Sequence, residues 1–230
     1  MSNLSGKVAF IANANSPVGQ ACVLKLAAAG TRICASCTDG YPLDGADLSI
    51  EISANEAEPW DSAFKACIAE LGGLDVLVIP TQAKSSPPIE LLGYDVFVES
   101  HRSMAIPAFL AQNQGILAMR SLGRGGAVVH VLPAVARAGL GGAVAACTAS
   151  AGILFSSKSA ALECAKEKDG IVVNVVLAGP VEGDPELSYP PGTPVVPPDA
   201  VADSVLFFAT EGAIYMSGMD MPVDDGFLAQ

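Results

Sequence analysis

Basic residues are scarce in this sequence. The chain of 230 residues carries 12 lysine and arginine residues against 24 aspartate and glutamate residues, so its formal net charge is −12. A surface of that charge repels phosphate backbones and anionic lipids. The composition therefore argues against nucleic-acid binding and against attachment to a membrane.

Long apolar runs and metal-binding motifs are also missing. No apolar run approaches the roughly 20 residues that a helix needs to cross a bilayer, and the first residues lack the basic and then apolar order of a signal peptide. The chain has two histidines, and of its six cysteines only Cys34 and Cys37 have ligand-pair spacing, inside a predicted strand. We therefore expect a cytoplasmic protein with reduced cysteines and no metal site.

Apolar segments of strand length alternate with helical segments along the chain. The predicted strands are Lys7–Ala12, Thr31–Ser36, Leu48–Ile52, Asp75–Pro80, Gly126–Leu132, Ile171–Leu177 and Met219–Val223. The predicted helices are Val18–Ala29, Ala63–Leu71, Tyr94–Ser121 with a break near Pro107, Ala143–Lys168 and Asp199–Thr210. Strands that alternate with helices form a parallel sheet covered on both faces. The pattern predicts one α/β domain over residues 1–230, a doubly wound Rossmann-like fold.

The connection between the second and third predicted strands is short. Only about eleven residues, Cys37–Asp47, join them, and these include two glycines and a proline. A parallel crossover normally needs a dozen or more residues and usually carries a helix. We expect a reduced crossover without that helix, which would remove one wall of a dinucleotide site.

Three segments carry a family resemblance. Leu74–Val78 resembles the fourth strand of the short-chain dehydrogenase/reductases, Val172–Val181 their sixth strand with its following turn, and Met216–Gly226 their closing segment. The segments follow the family's order and spacing over nearly the whole chain. The resemblance implies the same fold and, in intact members, hydride transfer to or from a nicotinamide cofactor.

The cofactor turn of that family is degenerate in this chain. Its three glycine positions are held by Asn13, Pro17 and Gly19. The glycines let backbone N–H groups approach the pyrophosphate, whereas Pro17 has no N–H and Asn13 adds a side chain. Ser16 followed by Pro17 is instead typical of a helix start, with the serine as cap.

Two further cofactor positions differ from the family pattern. Cys37 stands where the resemblance implies a charged residue that binds the ribose, with Asp39 two positions later. The segment Ile79–Gln82 replaces the Asn-Asn-Ala-Gly turn on the nicotinamide side. We therefore expect that this chain binds no cofactor.

The catalytic residues that the resemblance implies are absent. The family uses a tyrosine as general acid/base and a lysine four residues later that lowers its pKa; Cys147 and Ala151 stand at these positions. Pro133 or Ala134 replaces the serine that orients the substrate, and Ser103 is the best match for the asparagine of the proton path. No tyrosine in the chain has a lysine or arginine four residues on. We therefore predict no catalysis by the chain alone.

A relocated set of catalytic residues is a weaker interpretation. Cys147 is the best candidate for a nucleophile, but a working thiolate needs a nearby base or cation. Its neighbours one helical turn away are alanine, valine and serine. We expect His130 to point into the core or across the sheet, and His101 to lie on a helix surface.

These observations favour a non-catalytic subunit. The resemblance implies a partner, an intact homologous dehydrogenase that binds NAD, in a heterotetramer with two copies of each chain. The segment Ala143–Lys168 is rich in small residues and is the expected contact. Ala149→Arg and Gly152→Glu are expected to weaken assembly there.

A second function stays open, that of a ligand-binding or regulatory protein without catalysis. It would use the cleft that the family devotes to its cofactor and substrate. The segment Gly179–Pro198, where the family places its substrate loop, is short and rich in proline. That composition predicts a reduced lid.

Overall fold

Seven parallel strands form the centre of the molecule. The computed structural model of the chain describes residues 4–37, 43–52, 54–184 and 187–229. Strands β1 to β7 are Val8–Ile11, Arg32–Cys37, Leu48–Glu51, Val76–Pro80, Gly126–Pro133, Ile171–Ala178 and Asp220–Val223. They lie in one sheet in the order β3-β2-β1-β4-β5-β6-β7, with every pair parallel.

Helices cover both faces of this sheet. Helices α1 to α6 are Pro17–Ala28, Ala57–Leu71, Tyr94–Ser100, Ile106–Leu122, Val144–Glu167 and Pro198–Phe208. Helices α1 and α6 pack on one face, and α2, α4 and α5 pack on the other. The two apolar cores arise because the central strands are buried on both sides, as expected for a parallel sheet. The predicted doubly wound α/β fold is thus confirmed. Within the described residues no helix is long and apolar enough to cross a membrane.

Two helices differ from their predicted bounds. Helix α2 begins at Ala57 and not at Ala63, because Pro59 falls in the first turn, where backbone N–H groups need no helical partner. The predicted break near Pro107 is a π-helical turn, His101–Ala105, which joins α3 to α4. Both differences place additional side chains at the carboxyl edge of the sheet.

The crossover from β2 to β3 is reduced, as predicted. Residues 43–47 form turns and contain no helix. The Asp47 carboxylate accepts a hydrogen bond from the Ile33 backbone N–H at 2.7 Å, which fixes this connection against β2. The rest of the connection, 38–42 with Asp39, lies outside the described residues.

The strand order reverses between β1 and β4. In doubly wound folds ligands bind in the crevice at the carboxyl ends of the strands, at this switch point. The residues that follow β1, β2, β4, β5 and β6 therefore define the candidate site.

Candidate functional site

The turn after β1 is built around Asn13. Its backbone has a φ of 46°, a left-handed conformation that asparagine adopts more readily than most residues. Its N–H donates to the Ser36 hydroxyl at 3.2 Å, and its side-chain amide donates to the Pro80 carbonyl at 3.4 Å. Asn13 thus links the ends of three strands, through its backbone N–H to β2 and through its side chain to β4.

The start of helix α1 is closed by its own cap. Ser16 is the N-cap, Pro17 is the first helical residue, and the Ser16 hydroxyl accepts a hydrogen bond from the Gly19 N–H at 3.1 Å. The same hydroxyl donates to the Asn13 carbonyl at 2.8 Å. The predicted serine cap is confirmed. Two of the first three helical positions therefore offer no free N–H, because Pro17 has none and that of Gly19 is already used.

Gly19 is retained for a packing reason. A Cβ atom at this position would lie 2.7 Å from the Ala14 Cα and against the Asn13 carbonyl oxygen. Such a contact is too short for any side chain. The last glycine of the family pattern is thus required by the turn itself, with or without a cofactor.

Two spaces remain along the carboxyl edge of the sheet. A large cleft of about 1150 Å³ lies between the ends of β1 to β4 and helix α3, and Cys37 lines it. A small cavity of about 40 Å³ lies between the start of α1 and the ends of β5 and β6. Pro80, Thr81 and Gln82 line both spaces, so the segment after β4 forms their common wall.

The segment after β6 crosses this edge of the sheet. The Ser188 backbone N–H donates to the Ser85 hydroxyl at 2.7 Å, which links the segment to the loop after β4. Leu187 packs against the core on the α5 side, and the Tyr189 ring meets Phe227 edge-on at 5.6 Å. The described residues of this Pro-rich segment form no helix before α6, in keeping with the expected reduced lid, and the segment is anchored at both sides.

An acidic residue of the same segment lies at the start of α1. Asp184 lines the small cavity together with Ser16, Pro17 and Val18. A carboxylate there is favoured by the helix dipole. It would also repel a diphosphate that approached the same helix end.

The four positions at which the family resemblance implies catalytic residues lie on β5, on α5 and in the π-helical turn. Pro133 ends β5 and lines the small cavity, and Ala134 follows it in the core. Cys147 is partly exposed on α5, and its thiol contacts the Ala138 carbonyl at 3.7 Å, a distance typical of a weak hydrogen bond. Ala151 lies one turn further along α5, and Ser103 lies in the π-helical turn, where its hydroxyl donates to the Ser100 carbonyl at 3.3 Å.

Tyr189 is a residue that sequence reasoning missed. It is half-buried and close enough to Cys147 for the two groups to interact electrostatically. Burial first, and then Asp184 and Cys147, raise the pKa of Tyr189 to about 12. This direction is opposite to the one that favours a tyrosine as general acid/base near neutral pH.

His130 lies in the core, as predicted. It is 1% exposed, and its Nε2 atom lies 2.9 Å from the Gln112 side-chain oxygen. Burial lowers the pKa of His130 to about 3, so the ring is neutral at physiological pH. His130 belongs to the packing between β5 and α4 and faces neither space. His101 is half-buried on its helix, where Nδ1 contacts the Phe97 carbonyl at 3.0 Å.

Metal ligation has no structural basis in the described part of the chain. No group of three or more histidine, cysteine or carboxylate side chains converges there. The six cysteines, all among the described residues, form no disulfide.

The outer faces of α4 and α5 are apolar. Phe155 and Leu162 on α5 are 67% and 74% exposed, and Phe109 and Leu117 on α4 are also exposed. On α5 the exposed positions recur every three to four residues and include Gly152, where an added Cβ would meet nothing within 4 Å. Such a surface is typical of a protein contact.

The prediction for Ala149 is wrong in its location. Ala149 is 0% exposed and packs in the core, although it lies only one helical turn before the exposed Gly152. An arginine at this position would disturb the fold and not only the outer surface. Gly152 keeps its predicted place on the outer face.

Comparison with known proteins identifies the family. The family model described as enoyl-(acyl carrier protein) reductase matches residues 11–228. Together with the fold, this match shows that the chain belongs to the short-chain dehydrogenase/reductase family of oxidoreductases.

Two curated relatives cover nearly the whole chain. The chain is 29% identical to (2S)-[(R)-hydroxy(phenyl)methyl]succinyl-CoA dehydrogenase subunit BbsC of Thauera aromatica, over 98% of this chain and 96% of that protein. It is 25% identical to 3-oxoacyl-[acyl-carrier-protein] reductase FabG of Escherichia coli (strain K12), over 97% of this chain and 98% of that protein. Among solved structures, carveol dehydrogenase from Mycobacterium avium in complex with NAD superposes with a TM-score of 0.88 at 21% identity and covers 100% of both chains. That likeness confirms the fold.

Proposed function

We propose that this chain is a non-catalytic subunit that supports an intact NAD-dependent short-chain dehydrogenase in a hetero-oligomer. The observation that carries the proposal is the closed start of α1. In this fold the pyrophosphate of a dinucleotide binds the N–H groups of the first turn after β1. Here Pro17 supplies no N–H, and the Ser16 hydroxyl already binds that of Gly19.

The surroundings of that turn support the same conclusion. Asn13 bridges the ends of β1 and β4, and Asp184 adds a negative charge beside the helix start. A cavity of about 40 Å³ holds no more than a few water molecules. A nicotinamide ring does not fit there while Tyr189 and Leu187 keep their positions.

The chemistry of hydride transfer would also be lacking. Cys147 and Ala151 replace the tyrosine and lysine of the family, and Pro133 and Ser103 hold the other two positions. The pKa of the nearby Tyr189 is raised and not lowered. The chain therefore contributes no general acid/base, and its partner performs the reaction.

Retained surfaces support a role in assembly. The apolar outer faces of α4 and α5 need a covering partner, and Gly152 allows a second helix to approach closely. A homo-oligomer would cover these faces equally well but would contain no working site. We therefore favour a heterotetramer with two copies of an intact homologue, which binds the NAD.

The proposed reaction follows from the relative in Thauera aromatica, whose name describes a dehydrogenase subunit. We propose that the assembly oxidises a hydroxyacyl-CoA such as 2-[hydroxy(phenyl)methyl]succinyl-CoA. The pathway would be anaerobic toluene degradation. The substrate would bind in the partner, which holds the cofactor and the catalytic tyrosine.

The stoichiometry of cofactor binding tests this proposal. The genes that neighbour this one are searched for an intact short-chain dehydrogenase, that protein is co-expressed with this chain, and the purified complex is titrated with NADH in a calorimeter. We expect two cofactors for every four chains, whereas a homotetramer of the partner, as the control, should bind four. Four cofactors in the mixed complex, or no mixed complex, would contradict the proposal.

The large cleft favours a second function for the same chain. The cleft is present although the turn before α1, closed by the Ser16 cap, would hold no diphosphate. This supports a ligand-binding or regulatory role, which would add to the structural one.

A further inference from the structure

The large cleft is big enough for an organic ligand. Its volume of about 1150 Å³ slightly exceeds the roughly 300–1,000 Å³ typical of small-molecule sites. It lies at the carboxyl ends of β1 to β4, where this class of fold binds ligands. The start of α1 lies outside it, since Ser16 and Pro17 line the small cavity on the other side of the Pro80–Gln82 wall.

The floor of the cleft is apolar. It consists of buried side chains from the ends of three strands, from helices α2 and α4 and from the π-helical turn, namely Ala12, Ile52, Ile79, Trp60, Ala108 and Met104. The mouth of the cleft is also partly apolar, because Tyr94 and Val96 of α3 line it and are 80% and 43% exposed. An apolar ligand would bury carbon surface over the whole depth of the cleft.

The rim carries hydrogen-bonding groups without a net charge. Lys84 and Arg102 are matched by Asp95 and Glu99, and Arg102 lies 3.5 Å from the Glu99 carboxylate. The remaining polar groups of the wall are hydroxyls and amides. A chain with a formal charge of −12 adds a field that repels anions. The balance of the rim therefore favours an uncharged ligand.

One polar atom of the wall lacks a partner. The Ser86 hydroxyl is buried and forms no hydrogen bond within the described part of the chain. Ser86 lines the cleft, and its backbone N–H is fixed by the Gly142 carbonyl at 2.6 Å. Buried hydroxyls in proteins are normally paired, so this group is suited to a hydrogen bond with a bound molecule.

We infer that the cleft binds an uncharged, largely apolar small molecule with one or a few hydrogen-bonding groups. The inference goes beyond the subunit role, because it requires neither a partner nor hydride transfer. Asn13 and Cys37, which hold cofactor positions of the family, line the cleft, but Ser16 and Pro17 at the start of α1 do not, so the inferred ligand is one without a diphosphate. If the cleft bound no such ligand, the proposed assembly would still stand. If the chain formed no assembly, the inference about the cleft would still stand.

The single tryptophan gives a direct readout, because Trp60 lies in the floor of the cleft. The probe is N-phenyl-1-naphthylamine, an uncharged apolar dye that brightens on leaving water and quenches tryptophan by energy transfer. We expect saturable binding of one dye for each chain, with parallel loss of Trp60 emission. Absence of saturation, or stronger displacement of the dye by adenosine or NADH than by uncharged apolar compounds, would overturn the inference.

Matched variants locate the bound dye. Val98→Glu places a carboxylate in the cleft wall on the surface helix α3, and we expect about tenfold or greater loss of dye affinity from the buried charge. Val195→Glu makes the same exchange at a residue that is 59% exposed and outside the cleft, and it should bind as the wild type does. Ala108→Phe fills the floor and provides a second test, with folding checked by circular dichroism. Equal affinities in Val98→Glu and Val195→Glu would contradict the assignment.

Discussion

The side-chain amide of Asn13 donates to the carbonyl oxygen of Pro80 at 3.4 Å and so joins the end of β1 to the end of β4. The strand order reverses between these two strands. The contact therefore crosses the crevice in which doubly wound folds hold their ligands. Asn13 lines the large cleft, and the segment Pro80–Gln82 separates that cleft from the small cavity beside α1.

The isolated chain is expected to bind neither NAD(H) nor NADP(H). The reason is the combination of Asn13, Pro17 and the Ser16 cap at the phosphate position. Calorimetric titration with all four cofactors measures this, with the purified intact homologue as positive control. A dissociation constant near or below about 100 μM would refute the expectation.

The isolated chain should also show no nicotinamide-dependent turnover, and restoring two catalytic side chains should not change that. In the double variant Cys147→Tyr with Ala151→Lys the turn before α1 remains closed, and Tyr189 still lines the small cavity. Absorbance of NADH at saturating cofactor checks the reaction. The complex with the intact homologue serves as the active control. Measurable turnover by the double variant alone would contradict the hypothesis that this chain binds no nicotinamide cofactor.

Gly152→Glu should weaken assembly without unfolding the chain. The added side chain enters open space on the outer face of α5, where a partner helix would bury its charge without a counterion. Light scattering should show dissociation, while the melting temperature of the isolated chain stays nearly constant. Gly93→Glu is the matched control, since an added Cβ there also meets nothing within 4 Å.

Ala149→Arg should act differently, through the core. Because Ala149 is fully buried, we expect a loss of more than about 3 kcal/mol in the free energy of unfolding. Denaturant unfolding of the isolated chain measures it. An Ala149→Arg chain as stable as the wild type would show that α5 is oriented differently.

Stability should fall in mild acid because of His130. Burial lowers its folded-state pKa from 6.5 to about 3, so the folded chain takes up this proton much less readily than the unfolded chain. The stabilisation is complete above pH 6.5 and is lost as the pH falls from 6.5 toward 3, by up to about 1.4 kcal/mol per pH unit. Unfolding by urea between pH 5 and 6.5 isolates this effect, because most carboxylates stay ionised there. His130→Gln should remove that slope, and an unchanged slope would assign it to other groups.

Much of the fold follows from the sequence for simple reasons. The central strands are continuous apolar runs, and a parallel sheet buried on both faces requires such runs. The cap at Ser16 and Pro17 was predictable because both residues have strong positional preferences at helix starts. The core position of His130 followed from its place inside an apolar strand.

The remaining features depend on tertiary contacts that leave no periodic pattern. Helix α5 is built from small residues on several faces, so the sequence could not assign Ala149 to the core and Gly152 to the surface. Tyr189 lies in a Pro-rich segment without regular structure, and its approach to Cys147 depends on the anchor between Ser188 and Ser85. The volume of the cleft likewise depends on where α3 and the π-helical turn come to lie.

Because Asn13 has a left-handed backbone, the turn after β1 can keep the path of a nucleotide-binding turn although its side chain differs from glycine. Glycine and asparagine are among the few residues that adopt this conformation at low cost, and Gly19 preserves the close packing behind it. The chain path of the turn is thus compatible with either residue, and the two differ mainly in what projects into the crevice. An evolving chain could therefore exchange one for the other, and lose or regain room for a diphosphate, without first having to rebuild the loop.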